Sequence, residues 1–123
     1  MKTTSEKPLL PRTKAFALRV IRLVQSLGDD RVGRVLGDQL LRSGTPVGAN
    51  YRAASRARSR ADFINKLKIS EEECDESLYW MELLVESGLM PERKIGALRG
   101  EGSEILAMLV ASIQTTRRGA AAS

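Results

Sequence analysis

The sequence predicts an all-α fold: an antiparallel up-down-up-down four-helix bundle whose second helix is kinked near Pro46. Two observations predict it. Apolar residues recur at three- and four-residue spacing along four separate stretches, as one buried helix face requires. Those stretches are divided by short segments carrying helix-stop and helix-start residues. Four amphipathic helices joined by short turns bury their apolar faces as a bundle. Composition agrees: 123 residues, 42% apolar and 28% charged, make one helix-rich domain large enough for a core. With 4% aromatics, that core is built from Leu, Ile, Val, Ala and Met.

Residues 1–11, with Pro8 and Pro11 among polar and basic residues, read as a flexible lead-in, and the bundle domain as 12–118. Phe16, Val20, Leu23, Val24 and Leu27 give the first helix its inner face. Gly28 suits its C-terminal stop, and Asp29 or Asp30 can cap the next helix. The second helix runs from about Arg31 to Ala57. Val32, Leu36, Leu40, Ser43, Val47, Asn50, Tyr51 and Ala54 share one sector of it, and Arg31, Arg34, Arg42, Arg52 and Arg56 the opposite one. Pro46 removes a backbone donor, but the apolar phase resumes after it, so a kink is expected rather than a break.

Ser59, with Asp62 three residues on, opens the third helix, which runs to about Ser87. Phe63, Leu67, Ser70, Cys74, Leu78, Met81 and Val85 face inward, while Glu71, Asp75, Glu82 and Glu86 make an acidic stripe that the arginine stripe of the second helix is placed to answer. Gly88 and Pro91 separate it from a fourth helix with Ile95, Leu98, Gly102, Ile105, Leu109 and Ile113 inside. Gly96, Gly100 and Gly102 weaken its first half, which frays unless close packing holds it. Arg117 and Arg118 suit its C-terminus, and residues 119–123 read as a disordered tail.

Several chemistries are excluded. Cys74 is alone and histidine is absent, so there is no intramolecular disulfide, no zinc set and no Cys–His or Ser–His pair. Cys74 itself reads as a small buried residue. Glu72 and Glu76 sit one turn apart, but a di-metal bundle also needs Glu-x-x-His pairs. No metal, cofactor or small-molecule substrate is expected, and no enzyme. No apolar run is long enough for a bilayer and no signal-peptide pattern follows the basic N-terminus, so a cytoplasmic protein without a membrane partner is expected.

Charge is unevenly divided. Residues 1–60 carry 13 Lys and Arg against 4 Asp and Glu; residues 61–123 carry 7 against 11. Such asymmetry fits a polyanionic partner, and equally oppositely charged helices packed together. Arg31, Arg34, Arg42, Arg52, Arg56, Arg58 and Arg60 are the candidate nucleic-acid-binding residues, since guanidinium groups present paired donors to phosphate. Tyr51 is the aromatic near them, which favours backbone contact over base stacking. Ser43 and Asn50, on the apolar sector, are expected to form a structural polar core through interhelical hydrogen bonds, and Glu76 to pair with a basic residue on a neighbouring helix. Tyr79, Trp80 and Met81 cannot all face one core, so at least one should mark a subunit contact.

The stretches QLLRSGTPVGANYRAASRARSRADFINKL and EEECDESLYWMELLVESGL resemble the four-helix bundle proteins related to those encoded in intervening sequences of bacterial 23S ribosomal RNA genes, also called S23-like. The resemblance spans roughly residues 12–115 and rests most on Arg42, Ser43 and Asn50 and on the acidic-Leu-x-x-Met-Glu-Leu-Leu part of the third helix. More distantly, the chain resembles the basic accessory proteins of diversity-generating retroelements, which bind nucleic acid and a reverse transcriptase. The main resemblance implies a bacterial all-α bundle assembling as a ring, most often a homopentamer. Many of those proteins follow the Asn with Ile-x-Glu-Gly. Tyr51-Arg52-Ala53-Ala54 stand there in this chain, so no role of that glutamate transfers. The expected function is a ring-forming bundle that binds RNA or DNA backbone; the alternative is a structural or adaptor homo-oligomer.

Overall fold

The structure, a computed structural model, describes residues 9–122. Four α-helices account for it: α1 (Leu9–Gln25), α2 (Arg31–Ser55), α3 (Arg60–Glu86) and α4 (Glu92–Ala122). Each packs on its sequence neighbour and α1 also meets α4, while among the described residues the backbones of the diagonal pairs do not come close. That is the pattern of a four-helix bundle. α1 and α2 meet in reversed order, Thr13 at Gly48, Val20 at Gly44, and Val24 and Leu27 at Gly37. α1 and α4 do likewise, with Arg12 beside Glu104, Phe16 beside Gly102, and Arg19 and Leu23 near Lys94 and Leu98.

The described part of α1 opens at Leu9, ahead of the expected start at residue 12. The part of the predicted lead-in up to residue 8 lies outside the described residues; Leu9–Pro11 belong to the helix. Leu9 extends the inner line Leu9, Thr13, Phe16, Val20 back by one step and is 2% exposed. α1 ends in tight turns, Ser26 N–H to Leu23 and Leu27 N–H to Val24, without a left-handed residue at Gly28.

Asp30 caps α2 by accepting from the Gly33 N–H, and Ser59 caps α3 by accepting from the Asp62 N–H at 3.0 Å. α2 passes through Pro46 without a break. Two of the residues expected inside it sit elsewhere: Val32 is 53% exposed, and Asn50 is half-buried with its Nδ2 donating to the Pro46 carbonyl of its own helix at 3.0 Å. One cause explains both. The buried face of α2 includes Gly33, Gly37 and Gly44, so it is turned toward α1 and away from the edge that Val32 and Asn50 share.

Gly88, at φ +83°, ends α3 in the left-handed region that favours glycine. α4 continues unbroken past Gly96, Gly100 and Gly102 and on to Ala122, through the segment expected to be a disordered tail; Ser123 lies outside the described residues. Its predicted inner face is the observed one: Ile95, Leu98, Gly102, Ile105, Leu109 and Ile113 are all buried. At Gly102 a side chain would come within 2.9 Å of Leu78 Cδ2 and 3.2 Å of Phe16 Cε1, so three helices converge there.

The buried polar groups are satisfied. Ser70, on α3, donates to the Val47 carbonyl of α2 at 2.7 Å, and the Cys74 thiol to the Gly102 carbonyl of α4 at 3.3 Å. These two bonds register the helices. Ser43 was expected to do so, but it is buried with its hydroxyl spent on the Gln39 and Leu40 carbonyls of its own helix. Burial pushes the Cys74 thiol up to about 12, helped by Asp75, so it is an inert core residue.

Candidate nucleic-acid interface

All seven predicted arginines, Arg31, Arg34, Arg42, Arg52, Arg56, Arg58 and Arg60, have exposed side chains. The fold keeps them out because the opposite sector of α2 is the one that meets α1 and α3. The carboxylates of α3 do not answer them. Arg34 pairs with Asp29 at 2.8 Å, across the N-terminus of its own helix. Among the described residues, Arg31, Arg42, Arg52, Arg56 and Arg58 have no ion pair. Glu71, Asp75, Glu82 and Glu86 have none either. The expected α2–α3 charge pairing is therefore absent. The inner sectors of the two helices meet, and their outer sectors carry the arginines and the carboxylates separately.

The reversed contacts add cations that the sequence did not group. Thr13 touches Gly48, so the start of α1 and the end of α2 share one end of the bundle. Val47 and Ser70 are nearly equidistant from the α2–α3 turn, which places the start of α3 at that end too. Gly102 is level with Phe16 and Cys74, and the 15 residues to Arg117 carry α4 about 22 Å toward the same end. Exposed Lys14, Arg117 and Arg118 thus lie toward the end that holds Arg52, Arg56, Arg58 and Arg60. The signal in the sequence was only that Arg117 and Arg118 sit near a helix terminus; their proximity to Arg58 is a product of topology. Between α1 and α2 at this end is a groove of about 510 Å³ lined in part by Lys14, Gly48 and Arg52. Arg31 and Arg34 lie at the far end, among Asp29, Asp30, Glu82 and Glu86, and do not join the group.

Tyr51 points inward, 8% exposed, and burial raises its phenol. Glu76, expected in a polar core, is exposed, and accepts from Trp80 Nε1 at 3.1 Å one turn along its own helix rather than from a basic neighbour. Tyr79 and Trp80 stand edge to face at 5.0 Å on the acidic side, Tyr79 52% exposed, while Met81 is fully buried. Glu73, half-buried between Glu72 and Glu76, has its carboxyl raised, first by desolvation and then by those two charges. Among the described residues no group of three Cys, Asp or Glu is placed to hold a metal ion, and no helix is long and apolar enough to cross a membrane.

The family model for the 23S rRNA-intervening sequence proteins matches residues 9–111, most of the chain. The chain belongs to that family. Among solved structures, this intervening-sequence family protein is similar to the crystal structure of a protein with unknown function from the S23 ribosomal protein family of Bacteroides thetaiotaomicron VPI-5482. The two share 38% identity and superpose with a TM-score of 0.80, over 85% of this chain and 96% of that one. No curated protein matches it.

Proposed function

We propose that this protein is a non-enzymatic, ring-forming bundle that binds the backbone of RNA or DNA through the arginine-rich end of α2. The observation that carries this reading is the group Arg52, Arg56 and Arg58, exposed on one end of the bundle with no carboxylate among the described residues paired to them. Phosphate is the ligand such a group fits, because guanidinium offers it paired, charge-assisted donors. Membership of the 23S rRNA-intervening sequence family is consistent with a nucleic-acid context.

The competing reading gives these arginines to subunit contacts, and the unanswered acidic stripe of α3 supports it. One experiment separates the two. Labelled RNA should bind with an affinity that falls by orders of magnitude between about 50 and 200 mM salt. The triple variant Arg52→Glu, Arg56→Glu, Arg58→Glu should abolish binding and leave the oligomer whole. Binding that ignores salt removes the nucleic-acid reading, and an oligomer that falls apart in the variant assigns the arginines to a subunit seam.

A further inference from the structure

We infer that the basic end takes nucleic acid in its double-stranded form, by backbone contact alone, and discriminates against single strands. The inference rests on the nucleic-acid reading above and on the location of every aromatic ring in the chain.

There are five rings: Trp80, Tyr51, Tyr79, Phe16 and Phe63. Phe16 is fully buried and Tyr51 nearly so, and Phe63 packs against the core. The outward pair, Tyr79 and Trp80, sits on α3 among Glu72, Asp75, Glu76, Glu82 and Glu86. Charge and stacking surface are therefore on different faces. A strand whose phosphates meet Arg52, Arg56 and Arg58 finds no freely exposed ring for its bases, since Phe63 at that end is packed on the core, and a strand brought to Tyr79 meets five exposed carboxylates.

Proteins that hold single strands combine cations with rings, because stacking is what a single strand offers beyond charge. A surface with cations alone responds to charge density. A duplex carries about one phosphate charge per 1.7 Å of axis, and each contact releases more counterion from it than from a single strand. Arg42 and Arg52 are fixed along α2, about 15 Å apart along its axis, and Arg56 caps its C-terminus, an array suited to a stiff polyanion. No freely exposed ring on this face reads base edges, and the α1–α2 groove beside Arg52 is lined mostly by small and aliphatic residues, so recognition is by duplex backbone and not by sequence.

The test uses the full chain with a mixed-sequence RNA duplex and a uridine homopolymer of equal length, at matched salt. The duplex should bind about tenfold more tightly. Trp80 is the sole tryptophan, so its emission should stay unchanged when the homopolymer is added. Tyr79→Ala, at a side chain 52% exposed, should leave duplex affinity as it was. Homopolymer binding that equals or exceeds the duplex, or that quenches Trp80 and is lost in Tyr79→Ala, overturns this inference while sparing the nucleic-acid reading. Failure of both probes to bind overturns the two together.

Discussion

Gly44 and Gly100 are both helical glycines, and their replacement by alanine should have opposite signs. A side-chain carbon at Gly44 would lie 2.9 and 3.1 Å from the two methyls of Val20, a β-branched residue with little freedom to turn aside. Overpacking of that kind costs about 1–3 kcal/mol, more than alanine's helix preference returns. At Gly100 nothing lies within 4 Å, so alanine should stabilise by up to about 1 kcal/mol. Urea unfolding of the two variants checks this; equal shifts would mean that α1 and α2 are not closely packed at Val20. The pair also marks what was legible at this scale. The burial of Cys74 and of the α4 apolar line follows from periodicity, whereas the glycine face of α2 does not, because glycine carries no hydropathy signal. Gly37, Gly44 and Gly48 recur at seven and four residues, and that spacing is the trace they left. Asn50 and Val32 were misplaced because those glycines, not the larger apolar residues, decide which way α2 turns.

At the scale of elements, α1 is held to α4 by a charged clip at the surface. Arg12 donates to both carboxylate oxygens of Glu101, at 2.8 and 2.6 Å, and to Glu104 at 2.8 Å. The α1–α4 pair has the fewest close backbone approaches of the four neighbouring pairs and closes the ring of contacts, so the clip acts where the helices are least intimately paired. The Arg12 hydrogen bond holds the Glu101 carboxyl below its ordinary value of 4.5, against a smaller opposing effect of burial. A lowered folded value stabilises the fold above the unfolded value, and this is lost as pH falls through the folded one. Glu101→Gln should therefore cost about 1 kcal/mol at neutral pH, as a partly exposed bidentate pair does, with the deficit shrinking below about pH 4.5. Denaturant titrations of both proteins at neutral and acid pH measure it; a deficit independent of pH would assign the loss to packing. Helix identity and the Ser59 cap were readable in sequence because each is a local signal. This clip joins residues 89 positions apart, and no local signal records it.

At the scale of the whole molecule, the chain carries two unlike unsatisfied faces. The outer line of α2 and its C-cap presents Arg31, Val35, Arg42 and Arg56, with Val35 54% exposed; that of α3 presents Glu72, Asp75, Glu82 and Glu86 around Tyr79. Repulsion within each like-charged row costs a few tenths of a kcal/mol per neighbouring pair unless something answers it. If copies answer one another, unlike faces meet head to tail, and a head-to-tail contact closes as a ring when its rotation permits. The ring reading therefore requires a mass several times 13.5 kDa by light scattering at micromolar concentration. A charge-driven seam should also loosen as salt rises, since exposed pairs are screened. Such loosening would show the arginines shared between subunit and nucleic acid, so that RNA and assembly compete. An assembly indifferent to salt would place the contact on apolar groups such as Val32, Val35 and Tyr79 and leave Arg52, Arg56 and Arg58 to phosphate. A monomer at all salt concentrations would remove the ring, and binding to nucleic acid would then rest on the few cations of one bundle end, with a correspondingly shallow salt dependence.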